Sequence, residues 1–185
     1  MNKHSVIGSL FDSKSSLIAD RKKPRLSFVI FLILFTSFLV QSVLADDYQV
    51  NITRKGNNIY KVTIKEIYIF TRFCHEYVYY SDAILKMHGY IGEILFLENN
   101  EKCDVKAVYG LCDLDAGTYK VTVTYLDQDW YEVDATNIAV KVPLCMHLSI
   151  GEMAILRVEA SKIARLIFND DEEYFVEGIF SKLRL

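Results

Sequence analysis

The sequence matches itself at an offset of 71 residues, and that self-match limits the folds open to it. Cys74 falls on Cys145, and Ala83, Ile84 and Leu85 fall on Ala154, Ile155 and Leu156. Tyr48, Val50, Thr53, Tyr60, Val62 and Ile67 fall on Tyr119, Val121, Thr124, Tyr131, Val133 and Ile138. Leu95, Glu101 and Val105 fall on Leu166, Glu172 and Val176. This gives 13 identities over the 62 columns that begin at Tyr48, with no gap opened. A match of that length reads as a tandem duplication, so the chain is expected to hold two small modules, residues 46–110 and 111–185.

The local pattern says what each module is made of. Tyr48, Val50 and Ile52 alternate with polar residues, the period of a half-buried strand. Gly56-Asn57-Asn58 supplies a turn, and Ile59, Tyr60, Val62 and Ile64 resume the alternation. Residues 67–73 form a third strand and end at Cys74. Residues 77–80 either extend the β-structure or begin a short helix over 77–88, and Ser81-Asp82 reads as a break. Three more strands follow at 83–87, 93–97 and 103–109, joined by turn-rich connections. Residues 110–117 are the only linker, and 119–180 repeat the six strands. Pro143, at the end of the repeated third strand, marks an edge or a bulge, because proline cannot donate to a ladder. Residues 181–185 read as a short tail. The fold class is therefore all-β: two antiparallel meander modules, each a twisted sheet or partly closed barrel, packed together. The 12 tyrosines and 11 phenylalanines suit strands.

Residues 1–45 carry a different pattern. Lys3, Lys14, Arg21, Lys22, Lys23 and Arg25 precede an apolar run at 28–40, and Val43-Leu44-Ala45 offers small residues before Asp46. That three-part order is a secretory signal, cleaved after Ala45. The alternative is an uncleaved anchor that meets the membrane through residues 26–44, although the apolar run falls short of the roughly 20 residues of a comfortable span. Six of the 21 basic and two of the 24 acidic residues precede Asp46, so 15 and 22 remain and the net charge after it is −7. An acidic exported chain is a poor partner for phosphate backbones, which argues against nucleic acid.

Cys74, Cys103, Cys112 and Cys145 all follow the signal segment, and an even count in a small exported chain reads as two disulfides. Cys74 and Cys145 share a module position, whereas the column of Cys103 holds Tyr174. Each module then pairs separately, as Cys74–Cys103 and Cys112–Cys145. Each closed loop of about 30 residues is worth roughly 3–4 kcal/mol in the chain-entropy view.

Catalytic constellations are absent from the sequence. No glycine-rich nucleotide loop, no G-x-S-x-G and no H-E-x-x-H occurs. Cys74 and His75 are neighbours on a strand, so their side chains diverge. His75, Glu76, Asp82 and His88 form the one ligand-like group, but their spacing matches no site type and the repeat replaces them with Met146, His147, Met153 and Glu159. No metal and no cofactor is expected. Asp127, Asp129, Asp134 and the acidic run at 170–173 read as solvated turn residues. Asn51-Ile52-Thr53 is a glycosylation sequon if the pathway is eukaryotic.

The modules differ most at Tyr77, Tyr79 and Tyr80, which become Leu148, Ile150 and Gly151. Tyrosines the fold can lose are candidates for an interaction surface, since tyrosine favours desolvated contacts. On a strand, Tyr77 and Tyr79 would share one face and Tyr80 the other. The function expected is an exported, non-enzymatic binding protein of the envelope or secreted space, contacting a protein or glycan. The alternatives are an envelope hydrolase with its site between the modules, and a structural protein that assembles through strand edges.

Overall fold

The computed structural model describes residues 46–169 and 172–185, so the expected signal segment lies outside the described residues. The described residues form one compact unit. Its first six strands are β1 (Asp46–Arg54), β2 (Ile59–Val62), β3 (Ile67–Arg72), β4 (Ser81–His88), β5 (Ile91–Phe96) and β6 (Lys102–Leu111). β7 (Gly117–Asp127), β8 (Trp130–Val133), β9 (Ile138–Lys141), β10 (Glu152–Val158), β11 (Ala164–Phe168), β12 (Glu173–Val176) and β13 (Gly178–Lys182) follow. The described residues contain no helix, so 77–88 is not helical.

The first six strands close into an antiparallel barrel in the order β6-β3-β2-β1-β4-β5, completed by the β5–β6 ladder. Alternation places one side of each strand inside. Ile52, Tyr60, Ile69, Leu85, Ile94 and Phe96 fill the interior and are almost fully buried. β3 is apolar on both faces for a reason: Ile69 points into the barrel, whereas Tyr68 and Phe70 pack in a separate cluster with Trp130, Ala139 and Phe180. Phe70 lies edge-on to Trp130, with ring centroids 5.2 Å apart.

The remaining strands trace the same ladder. Ile52 opposite Val62 recurs as Val123 opposite Val133, and Tyr48 opposite Leu85 recurs as Tyr119 opposite Leu156. Ile67 opposite Gly110 recurs as Ile138 opposite Ser181. β12 pairs with β11 and β13 with β9, and only Glu177 separates β12 from β13, so the two together stand where β6 stands in the first half. β13 also pairs antiparallel with the end of β6, which joins both halves in one 13-stranded sheet.

The ungapped alignment needs one correction. Ala83 faces Phe96 but Ala154 faces Phe168, and Leu85 faces Ile94 but Leu156 faces Leu166. β11 is thus offset by 72 from β5, and the match of Leu95 to Leu166 is not structural. A one-residue slip would turn every side chain to the other face. The chain avoids this with one extra residue in the turn before β11 and one fewer after it. Leu166 and Phe168 are consequently buried like Ile94 and Phe96.

Four further expectations change. Ser81 and Asp82 open β4 rather than break it, because Asp82 and Ser81 pair with Asn51 and Ile52. Ile64 is not on a strand: it sits at φ 65° in the turn after β2 and is 99% exposed. The C-terminal residues are not a loose tail. Leu183 N donates to Val108 O, Leu185 and Gly89 exchange backbone hydrogen bonds, and both leucines pack on the first barrel's core. Finally, Cys74 and Cys103 are joined, with S–S 1.99 Å, but Cys112 and Cys145 are free thiols. Cys112 lies just past β6, where its N–H donates to Ile179 O, while Tyr174 occupies the ladder position that Cys103 holds in the first half.

Candidate interaction surface

Each half carries one extended segment outside the ladders, between its third and fourth strands: residues 73–80 and residues 144–151. These two arms are built alike. Phe73 and Leu144 enter them at φ 50° and 61°, and Tyr80 and Gly151 leave at 54° and 63°. One backbone hydrogen bond ties each arm to the strand beside it, Arg54 N to Val78 O and Tyr125 N to Ser149 O. A buried tyrosine holds the middle from inside the barrel. Tyr60 Oη donates to Glu76 O at 2.9 Å and Tyr131 Oη donates to His147 O at 2.7 Å. Each hydroxyl also lies against a cysteine sulfur, Cys74 Sγ at 3.2 Å and Cys145 Sγ at 3.1 Å. Burial pushes the Tyr60 phenol up to about 12, against the pull of the Arg54 guanidinium, and it raises Tyr131 likewise.

Alternation along the arms decides what they show to solvent. Cys74, Val78, Cys145 and Ser149 point in and are buried. The intervening side chains point out. Phe73, Tyr77 and Tyr79 are 90%, 84% and 69% exposed in the first arm; Leu144, Met146, Leu148 and Ile150 are 92%, 91%, 75% and 90% exposed in the second. Free-standing apolar side chains are ordinary when scattered, but contiguous rows of them mark contact surfaces.

All three tyrosines named from the sequence are therefore on the surface, but not in the arrangement expected. Residues 77–80 form no strand, and the left-handed backbone at Tyr80 turns its ring back onto Tyr79, with centroids 4.4 Å apart. Tyr79 and Tyr80 form the pair, and together they wall a shallow pocket of about 220 Å³ with Thr53, Lys55, Lys61 and Thr63. Nor has the second half given up its exposed surface. It presents aliphatic and thioether side chains at the same places. Reading the exposed columns of both halves together (73, 75, 77 and 79 with 144, 146, 148 and 150) would have found Phe73, Leu144 and Met146, which the contrast between tyrosine and aliphatic hid.

The strand directions place the arms. β3 runs antiparallel to β6, β9 antiparallel to β13, and β6 antiparallel to β13. The arms follow β3 and β9, which run in opposite senses, but both begin beside hairpin turns that meet: Cys74 N donates to Asn58 Oδ1, Val142 N donates to Asp129 O, and Gly56 lies against Gln128.

The other candidates do not converge. Arg54 Nη1 donates to His75 O, Asn99 Nδ2 donates to Glu76 Oε2, and Asn51 Nδ2 donates to Asp82 Oδ1, while His88 ends β4. No cluster of three metal-ligating side chains occurs among the described residues. The sequon amide of Asn51 is also engaged with Tyr80 O at 2.8 Å. A cavity of about 220 Å³ does lie where the halves meet, lined by Lys55, Lys61, Tyr68, Trp130, Lys141 and Glu177. Two of its lysines are committed to ion pairs, Lys61 with Glu66 and Lys141 with Glu177. Fold and surface together define a class: a six-stranded antiparallel barrel joined in one sheet to seven further strands, with an exposed apolar arm on each half. No family model, curated protein or solved structure matches the chain.

Proposed function

We propose that this chain is an exported, non-enzymatic binding protein of the envelope or secreted space, made by tandem duplication of one β module. The observation that carries the reading is the pair of matched arms, which hold large apolar side chains in solvent. Holding them there costs solvation free energy, about 25 cal/mol for each Å² of apolar surface left wet, and contact with a partner recovers it. Two such surfaces, one aromatic and one aliphatic, suit a protein that contacts two partners. The signal-like residues 1–45 and the Cys74–Cys103 bond support export, since such bonds persist in oxidising compartments.

The hydrolase reading has less support, because lysine–glutamate pairs occupy the junction cavity where a catalytic group would be needed. Assembly through strand edges also has less support. The β5–β6 ladder closes the first barrel, and the strand left at the sheet edge, β12, is only 4 residues long.

Affinity isolation from the native host tests the reading. Tyr79→Ser with Tyr80→Ser should strip one set of partners and Leu148→Ser with Ile150→Ser another, each with Tm within a few degrees of the parent. Recovery of identical partners by parent and both variants would remove the arms from any binding role.

A further inference from the structure

The two arms share a backbone but differ in the charge around them. The second arm is entered beside Asp129, whose carbonyl accepts from Val142 N. It is left beside Asp134 and Glu152. Gly151 N donates to Thr124 Oγ1, Thr124 in turn donates to Asp134 Oδ2, and Glu152 Oε2 lies 2.7 Å from His147 Nε2. At the matched places of the first arm stand Asn58, whose carbonyl accepts from Thr71 N, then Thr63 and Ser81. Asp134 and Glu152 thus place carboxylates at the exit of the second arm where the first has Thr63 and Ser81, and Asp129, which also lines the junction cavity, stands at its entrance in place of Asn58; the first arm's own carboxylates, Glu76 and Asp82, accept from the amides of Asn99 and Asn51. Further, Arg54, whose guanidinium reaches the carbonyl of His75 in the first arm, is replaced by Tyr125.

We infer that arm 144–151 docks a basic amphipathic segment of a partner protein, with apolar residues on one side and lysine or arginine at both flanks. This rests on the reading of the arms as contact surfaces and adds what the second one recognises. Leu144, Met146, Leu148 and Ile150 supply the apolar stripe, and Met153, 66% exposed at the start of β10, extends it. Unbranched methionines adapt to partners of varied shape. Asp129 and the Asp134–Glu152 end then pair with cations on either side, and such complementarity sets on-rate and orientation. An anionic lipid surface is disfavoured by the same three carboxylates.

The test uses the full chain and a fluorescein-labelled synthetic amphipathic helix of leucine and lysine, with a leucine–glutamate helix of the same length as control. Anisotropy should show binding of the lysine helix alone. Asp129→Asn with Asp134→Asn and Glu152→Gln should weaken it about tenfold at low salt and flatten its salt dependence. Leu148→Ser with Ile150→Ser should weaken it by at least as much, and Tyr79→Ser with Tyr80→Ser should not change it. Should the serine pair unfold the protein, the salt dependence of the carboxylate variant still decides. Equal binding of both helices, binding unaffected by the carboxylate variant, or sedimentation with neutral phosphatidylcholine vesicles instead would overturn the inference. If neither helix binds while the serine pair still strips a native partner, the arm remains a contact surface and its assigned chemistry is wrong.

Discussion

Gly110 and Ser181 lie directly opposite each other where β6 meets β13, and their positions differ by the 71 residues of the repeat. Matched residues that pair with each other define a local two-fold axis, as at an isologous dimer interface. The surroundings obey it. Leu183 covers Gly110, where an added Cβ would come within 3.2 Å of its side chain, and Cys112, the residue matched to Leu183, hydrogen-bonds to Ser181. Leu183 N donates to Val108 O and Cys112 N donates to Ile179 O, again matched. The cluster between the halves combines matched pairs too, Ile59 with Trp130 and Tyr109 with Phe180.

Trp130 is the largest member of that cluster, in edge or tilted contact with Tyr68, Phe70 and Phe180. Trp130→Ala should cost about 3–5 kcal/mol, the usual range for emptying a buried aromatic site. Denaturant unfolding measures it, and a loss under about 1 kcal/mol would mean that the junction contributes little.

Tyr60→Phe and Tyr131→Phe each remove one buried hydroxyl that donates to an arm carbonyl. Each should cost about 1 kcal/mol. The sharper outcome is local: amide exchange should quicken in 73–80 for the first variant and in 144–151 for the second. Quickening in both arms from either variant would show that the hydroxyls support the fold generally.

Much of this was legible in the sequence, for a physical reason. Period-two alternation is a consequence of packing two sheet faces, so the strands showed through. What escaped were features set by a few residues in three dimensions. The slip of β11 is invisible because it is cancelled within ten residues. Ring closure leaves no mark on a strand that is already apolar inside. Cys112 and Cys145 looked paired by count, but Tyr174 fills the ladder position a partner of Cys145 would need. The arms were half seen, because an exposed Leu or Ile reads as core in any pattern of hydrophobicity.

Alkaline pH should destabilise the fold in a defined window. An unfolded phenol ionises near 10, whereas burial holds Tyr60 near 12 and raises Tyr109 and Tyr131 in the same direction. The unfolded chain therefore releases these protons first, and stability present below pH 10 is lost as pH rises from 10 toward 12. Ultraviolet titration should show these phenolates appearing only with unfolding. Their ionisation at pH 10 in the folded protein would contradict the burial described.

Peptide mapping without reduction should find Cys74 linked to Cys103 and no other cystine. Cys112 should label slowly until well above neutral pH, since burial raises its thiol. Reduction, or Cys103→Ser with Cys74→Ser, should cost roughly 3–4 kcal/mol for a loop of this size. A Cys112–Cys145 peptide would contradict the arrangement.

The central claim is that both arms are contact surfaces, and site-specific photo-crosslinking in the native host tests it most directly. A benzophenone amino acid replaces Tyr79 in one variant and Ile150 in another, with a third at exposed Lys106 on β6 as control. The account predicts covalent adducts at both arms, with a different partner at each, and none at Lys106. Adducts no more frequent at the arms than at Lys106 would contradict it.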